Sequence, residues 1–196
     1  MPTGPRNRVR IVGGRWRGRR VSFAPVPGLR PTPDRVRETL FNWLQPVIEG
    51  ARCLDLFAGS GVLGLEAASR GAARVVLVER DLRVVRVLEE QVRVLGSSAV
   101  RVVHAEARAW LARDPKPSAP EPFDVVFLDP PFADPELPAA CIGLLEDGGW
   151  LRADARIYLE ADARTPLPAL PPSWSLLRSR RAGQVAYHLA LRSSEH

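Results

Sequence analysis

The sequence has few cysteines, a single lysine and no long apolar segment. Its two cysteines, Cys53 and Cys141, lie in apolar surroundings without metal-ligand spacing, which excludes a disulfide scaffold and predicts reduced thiols and no metal site. No apolar run reaches the roughly 18 residues that cross a bilayer. Because the N-terminus also lacks the apolar region of a secretory signal, we predict a cytoplasmic protein that does not enter membranes.

The positive charge of the chain is concentrated near its N-terminus. The 196 residues carry 28 Lys and Arg against 22 Asp and Glu, a net charge of +6. Residues 1–50 hold ten arginines and three acids, a net of +7, so residues 51–196 carry 18 basic and 19 acidic groups, a net of −1. This asymmetry indicates a polyanionic partner and favours nucleic acid over a membrane surface.

Apolar periodicity predicts a doubly wound α/β domain behind a small hairpin. Residues 9–23 are predicted to form two short strands around Gly13-Gly14, and Thr32 to cap a helix whose first turn contains Pro33. Further on, short apolar strands alternate with helices, which is typical of a parallel sheet covered on both faces. We predict strands at 53–57, 74–78, 100–103, 123–128, 157–161, 175–180 and 185–191, and helices at 62–70, 82–95, 107–113 and 137–145.

A glycine-rich loop follows the first strand of this domain. The segment from Asp55 to Gly64 contains three glycines at a strand-to-helix turn, where backbone N–H groups can approach a ligand closely. Glu79 ends the second strand, twenty residues after Gly59, where a carboxylate can bind ribose hydroxyls. Because the glycines also satisfy the dinucleotide fingerprint G-x-G-x-x-G, an NAD site is one interpretation.

Two features favour S-adenosylmethionine over NAD. The Asp55 carboxylate would repel a pyrophosphate but suits the cationic amino group of S-adenosylmethionine, and the motif after the fourth strand suits methyl transfer. The carboxyl ends of the strands share one edge of such a sheet, so we expect Asp55, Glu79, Glu106 and Asp129 to lie together. Glu106 is a candidate for binding the adenine amine, with a solvated acid at a helix start as the alternative.

The fourth strand ends in Asp129-Pro130-Pro131-Phe132. The two prolines end the strand and stiffen the loop, so the Asp129 carboxylate and the Pro130 carbonyl are expected to point off the strand end as acceptors. Two acceptors match the two N–H groups of an exocyclic base amine, and Phe132 offers a ring on which a base can stack. The motif predicts methyl transfer by positioning, and a rigid turn with a buried Phe is the structural alternative.

These motifs resemble those of class I S-adenosylmethionine-dependent methyltransferases with a D-P-P-F motif. Within that class, the chain resembles the bacterial small-subunit rRNA guanine-N(2) methyltransferases of the RsmD type. The likeness covers nearly the whole chain and is carried by residues 10–18, 29–44, 54–65, 129–132, 144–151 and 182–187. It implies a Rossmann-like fold with a mostly parallel seven-stranded sheet, helices on both faces, an antiparallel C-terminal hairpin and a small N-terminal β-hairpin extension.

The resemblance also implies a substrate. That substrate is guanine 966 of 16S rRNA in the assembling small ribosomal subunit particle, and the methyl group is added to its exocyclic amine. We expect the protein to be monomeric. Flipping of the base is expected, because an amine inside a base stack is inaccessible to the methyl donor. The family has Asp or Asn where this chain has Glu106, so the adenine contact is the least supported assignment.

The predicted roles divide the chain into two parts. Residues 1–31 are predicted to form a basic hairpin and connector that dock rRNA, and residues 32–196 to form the methyltransferase domain. The cofactor is predicted to contact Thr32, Arg37, Asp55, Phe57, Ala58, Gly59, Ser60, Gly61, Glu79, Arg80, Glu106 and Ala107. The rRNA is predicted to contact Arg10, Arg15, Trp16, Arg17, Arg19, Arg20, Arg30 and Arg35, with a solvated arginine-rich surface as the alternative.

Other functions remain open from the residues alone. One is methylation of another exocyclic amine, either adenine in DNA or RNA or a glutamine side chain in protein, although such proteins more often have Asn at the position of Asp129. Another is a non-catalytic RNA-binding assembly factor that keeps the fold, against which the intact Asp55 and Glu79 argue.

Overall fold

The computed structural model describes residues 7–113, 121–131 and 134–193. The chain begins with two short antiparallel strands, β1 (Arg8–Arg10) and β2 (Arg20–Ser22), joined through a 3-10 turn at Gly14–Trp16. Helices and strands then alternate as far as a C-terminal hairpin. Their bounds are α1 Asp34–Ile48, β3 Arg52–Asp55, α2 Val62–Ser69, β4 Arg74–Glu79, α3 Leu82–Leu95, β5 Val100–His104, α4 Ala107–Leu111, β6 Phe123–Leu128, α5 Leu137–Asp147, β7 Leu151–Asp162, β8 Trp174–Ala182 and β9 Val185–Arg192.

A seven-stranded sheet organises the domain and confirms the predicted fold class. Its strand order is β5-β4-β3-β6-β7-β9-β8. Strands β3 to β7 are parallel, whereas β9 is antiparallel to both of its neighbours, β7 and β8. The chain moves outward from β3 through β4 to β5 and then returns to β6 on the other side of β3. The boundary between β3 and β6 is therefore a topological switch point, where ligands bind outside the carboxyl ends of the strands.

Two hydrophobic layers cover the sheet, because successive side chains of a strand point to opposite faces. Cys53 packs with α1, α2, α3 and the N-terminal hairpin, and its neighbour Leu54 packs with α4 and α5. On the second face the rings of Trp110 and Trp150 stack with their centroids 4.6 Å apart. No helix within the described ranges is both long and apolar enough to span a membrane.

The N-terminal hairpin is attached to α2 by buried polar contacts. The fully buried Glu66 of α2 accepts a hydrogen bond from the Val12 N–H at 2.9 Å. The Ser69 hydroxyl accepts from the Trp16 N–H at 2.9 Å and donates to the Gly13 carbonyl at 2.6 Å. The hairpin therefore contacts the helix that begins at the glycine-rich loop.

The prediction that Thr32 caps α1 is wrong. The cap position is Pro33, and no side chain of the described residues makes a capping hydrogen bond there. Thr32 lies one residue before the cap, where a hydroxyl is too far from the N–H groups of the first turn to satisfy them. The Thr32 residue is instead buried, and its carbonyl accepts a hydrogen bond from Arg37.

Candidate active site

Backbone geometry shapes the loop between β3 and α2. Gly59 and Gly61 have φ angles of 50° and 72°, in the left-handed region that glycine adopts without strain. The Ala58 N–H donates to the Val78 carbonyl of β4 at 2.9 Å, and the Gly61 N–H donates to the Ala58 carbonyl at 2.6 Å. These bonds hold the loop at the carboxyl edge of the sheet, where the first N–H groups of α2 lack helical partners.

Asp55 is a buried carboxylate at the end of β3. It is 2% exposed, and its Oδ2 accepts a hydrogen bond from the Gly64 N–H at 3.1 Å. Burial raises the pKa of Asp55 to about 7; the Gly64 N–H opposes this rise and the Glu79 charge adds to it. A cationic ligand group beside Asp55 would favour its charged form, so the residue suits an ammonium better than a phosphate.

Glu79, at the end of β4, connects the glycine loop to the sheet through a hydrogen bond of its side chain. Its Oε2 accepts from the Gly59 N–H at 3.0 Å, and its Oε1 accepts from the Asp81 N–H at 2.8 Å. A carboxylate has about four acceptor positions, so both oxygens keep capacity for a further donor such as a ribose hydroxyl.

Asp129 brings another carboxylate to the switch point. It follows Leu128, the last residue of β6, and is partly exposed ahead of the buried Pro130. Asp55 pairs with Phe127, two residues before Asp129, so the two carboxylates lie at neighbouring strand ends. Burial raises the pKa of Asp129 well above its ordinary value, and the charge of Asp55 raises it further.

Glu160 is a buried acid of this edge that sequence reasoning missed. It follows Leu159, which pairs with Leu128 immediately before Asp129, and its Oε2 accepts from the Tyr158 hydroxyl at 2.7 Å. Its charge also raises the pKa of Asp129, and burial raises its own pKa. The available signal was an acid within an otherwise apolar strand, but only the strand register shows that it lies beside Asp129.

A cavity of about 690 Å³ opens between α4 and α5 beside Pro131. Two predicted cofactor residues, Arg80 and Glu106, line it. Glu106 also caps α4, since its carboxylate accepts from the Arg108 N–H at 3.0 Å and the Ala109 N–H at 2.7 Å. Glu106 is therefore an exposed acid at a helix start that also lines the cavity, and its contact with the adenine stays a prediction.

The remaining predicted residues lie at or next to the same edge, with one exception. Phe132 lies outside the described residues. The others are the half-buried Phe57 and the buried Ala58, Ser60 and Ala107.

The structure contradicts the prediction that Arg37 contacts the cofactor. Its side chain is 0% exposed, and all three of its nitrogens are bonded within the protein. Nε donates to the Thr32 carbonyl at 3.0 Å and Nη1 to Glu66 at 3.1 Å. Nη2 donates to the Arg10 carbonyl at 2.8 Å and to Asp34 at 2.5 Å. A buried guanidinium requires such partners, so Arg37 joins β1, α1 and α2.

The residues predicted to bind RNA differ in exposure. The prediction that Trp16 contacts RNA is contradicted, because this residue is 6% exposed and packs in the core against α2. The Arg15 guanidinium lies 4.1 Å from the centre of the Trp16 ring. Arg10 is exposed and forms an ion pair with Asp34 at 3.0 Å. The other predicted residues are also exposed: Arg15, Arg17, Arg19, Arg20, Arg30 and Arg35.

The strand order, the glycine loop after β3 and the Asp-Pro-Pro turn after β6 define the class I methyltransferase fold. Residues 9–191 match the family model described as Conserved hypothetical protein 95. The chain is 50% identical over 187 residues to the ribosomal RNA small subunit methyltransferase D of Escherichia coli strain K12, covering 95% of this chain and 91% of that protein. The chain belongs to this family of small-subunit rRNA methyltransferases.

Solved structures agree with this assignment. The protein yhhF from Escherichia coli superposes with a TM-score of 0.86 and 48% identity, covering 96% of this chain and 100% of that one. The T. thermophilus 16S rRNA N2 G1207 methyltransferase, solved with AdoMet and guanosine, has a TM-score of 0.67 and 21% identity over 99% of this chain and 52% of that one. At that identity the second likeness shows the fold alone.

Proposed function

We propose that this protein methylates the exocyclic N2 amine of guanine 966 in 16S rRNA, with S-adenosylmethionine as the methyl donor. The observation that carries the proposal is the pair of carboxylates at the switch point. Asp55 and Asp129 end neighbouring strands beside a glycine loop, so one can hold a cationic cofactor group while the other holds an amine.

S-adenosylmethionine fits the residues at this edge. Asp55 would hold its amino group, because the ammonium stabilises a buried carboxylate. Glu79 would accept hydrogen bonds from the ribose hydroxyls with the capacity left on its two oxygens. Arg80 and Glu106 line the neighbouring cavity, which has room for an adenine.

The reaction needs positioning more than strong acid–base chemistry. The cofactor supplies an electrophilic methyl group on a sulfonium. Asp129 and the Pro130 carbonyl accept the two N–H groups of the base amine, which directs the nitrogen lone pair toward that methyl. The amine becomes acidic once it is methylated, and the raised pKa of Asp129 allows its carboxylate to take the proton. Glu160 acts as a positioning residue through its effect on Asp129.

The substrate in this proposal is the assembling small-subunit particle. The exposed N-terminal arginines supply phosphate contacts that strengthen binding without selecting a sequence, and the protein acts as a monomer. The target guanine is flipped out of its stack to reach the strand ends.

Transfer of labelled methyl groups tests the proposal. Particles from a strain that lacks the enzyme are incubated with the protein and labelled S-adenosylmethionine, then digested to nucleosides. We expect the label in N2-methylguanosine. Label in N6-methyladenosine or in protein glutamine would overturn the guanine assignment. Absence of transfer, together with no cofactor binding by calorimetry, would favour the non-catalytic assembly factor.

A further inference from the structure

The outer edge of the sheet carries a basic surface that the overall charge count conceals. Residues 174–192, which include β8 and β9, contain four arginines and no Asp or Glu. Three of these arginines are exposed on β8, at Arg178, Arg180 and Arg181, and we name them the β8 arginine patch. Within the described ranges none of the three forms an ion pair. Among the residues that the structure describes, strand β8 pairs only with β9, so its other side is an open edge of the described sheet.

The strand register places the patch beside the candidate active site. Arg180 pairs with Tyr187, and Tyr187 pairs with Glu160. Glu160 lies one residue beyond the pair between Leu159 and Leu128, the residue that precedes Asp129. Arg180 and Asp129 therefore lie in the same row across the sheet. They are separated by three strand spacings, or about 14 Å.

The tip of the N-terminal hairpin lies at the amino edge of the sheet, opposite the carboxyl edge that carries Asp129. Ser69, which holds that tip, is the last residue of α2. Arg15 lies 3.5 Å from the hydroxyl of Ser97, just beyond the end of α3. Both helices start at the carboxyl edge of the sheet and end at its amino edge. The hairpin tip is therefore remote from Asp129, whereas the β8 arginine patch is on the catalytic side.

We propose that the β8 arginine patch binds the RNA backbone on one side of the target nucleotide. This inference rests on the proposed rRNA substrate. Arg178 and Arg180 are two positions apart on β8, a separation of about 7 Å that is close to the distance between successive phosphates of an RNA strand. A guanidinium binds phosphate through two parallel hydrogen bonds. The patch would hold the RNA strand beside the switch point, on the β8 side of the target nucleotide.

A charge-reversal series tests the patch. The variant Arg178→Glu/Arg180→Glu/Arg181→Glu is compared with the control Arg74→Glu/Arg86→Glu/Arg101→Glu, which reverses three exposed arginines on β4, α3 and β5. We expect the Kd for small-subunit particles, measured by direct binding, to rise at least about tenfold in the patch variant, with an unchanged cofactor Kd. The slope of log K against log salt should become less steep by about 2, since roughly 0.7 is lost per phosphate contact. The control should change the Kd for particles less than about twofold.

Two further variants keep the test decisive. If the Glu variant has a lowered Tm, the corresponding triple Gln variant should fold and show the same flattened salt slope. The triple Lys variant, which keeps the charge, should retain most of the binding. Wild-type affinity in both the Glu and the Gln variants would overturn the proposal and leave the arginines as charges that prevent edge-to-edge pairing of β8. An equal loss in the control would also overturn it. Because particle binding is measured without reference to the product, methylation of a different base would refute the proposed function and leave this test intact.

Discussion

Replacing Glu66 with glutamine should lower the free energy of unfolding by about 3 kcal/mol. Glu66 is fully buried; its Oε2 accepts from the Val12 N–H and from Arg37, and its Oε1 accepts from Arg70 at 2.9 Å. Glutamine keeps one acceptor oxygen but turns an N–H group toward one of the two arginines. Removing one partner of a buried ion pair usually costs about 3–5 kcal/mol, and we expect the lower end because Arg37 keeps its contact with Asp34.

Urea unfolding and thermal melting measure this loss. For a chain of 196 residues, about 3 kcal/mol corresponds to a fall in Tm of roughly 6–12 °C. The matched control is Glu90→Gln, which removes an exposed ion pair with Arg93 on α3 and should leave Tm unchanged. A loss below about 1 kcal/mol for Glu66→Gln would refute the claim that this carboxylate joins the N-terminal hairpin to α2.

Three further outcomes follow from the site. Asp129→Ala should abolish methyl transfer and retain cofactor affinity by calorimetry; near-normal turnover would refute the acceptor role. The pKa of Asp55 rises from 3.8 to about 7 on folding, so its protonated form stabilises the fold and this stabilisation is lost as the pH rises toward 7. Asp55→Asn should therefore flatten the decline of unfolding free energy between pH 4 and 7, and an unchanged decline would contradict the shift. Gly64→Ala should destabilise the protein by about 1–3 kcal/mol, because its Cβ would lie 2.2 Å from Leu77 Cδ2; an unchanged Tm would contradict that close packing.

Local signals in the sequence correctly predict the first and last residues of some helices and strands. Helix α3 has the predicted bounds because Asp81 accepts from the Arg83 N–H at its start and Gly96 adopts a left-handed conformation at its end. Strand β6 also has the predicted bounds, since two prolines follow it. Strand β7 begins six residues before its predicted start at Ile157. The apolar pattern did not indicate this first half because it is mostly exposed and polar and contains Asp154 at a φ of 62°.

The site was predictable where it depends on strand ends and unpredictable where it depends on partners distant in sequence. Asp55, Glu79 and Asp129 each end or follow a buried strand, so their shared edge follows from parallel topology. Glu160 was missed because its place beside Asp129 depends on the register of β6 and β7. Arg37 was misassigned because a basic residue near the N-terminus suggests an exposed charge, whereas its partner Glu66 lies 29 residues away.

The most direct test of the central claim is to map the methyl group on small-subunit particles from a strain that lacks the enzyme. The 16S rRNA is digested with a sequence-specific nuclease after reaction with the wild-type protein, and the fragments are weighed by mass spectrometry. The account predicts one added methyl, on the fragment that contains guanine 966, and none with Asp129→Ala. A methyl on any other nucleotide, or an equal yield from Asp129→Ala, would contradict it.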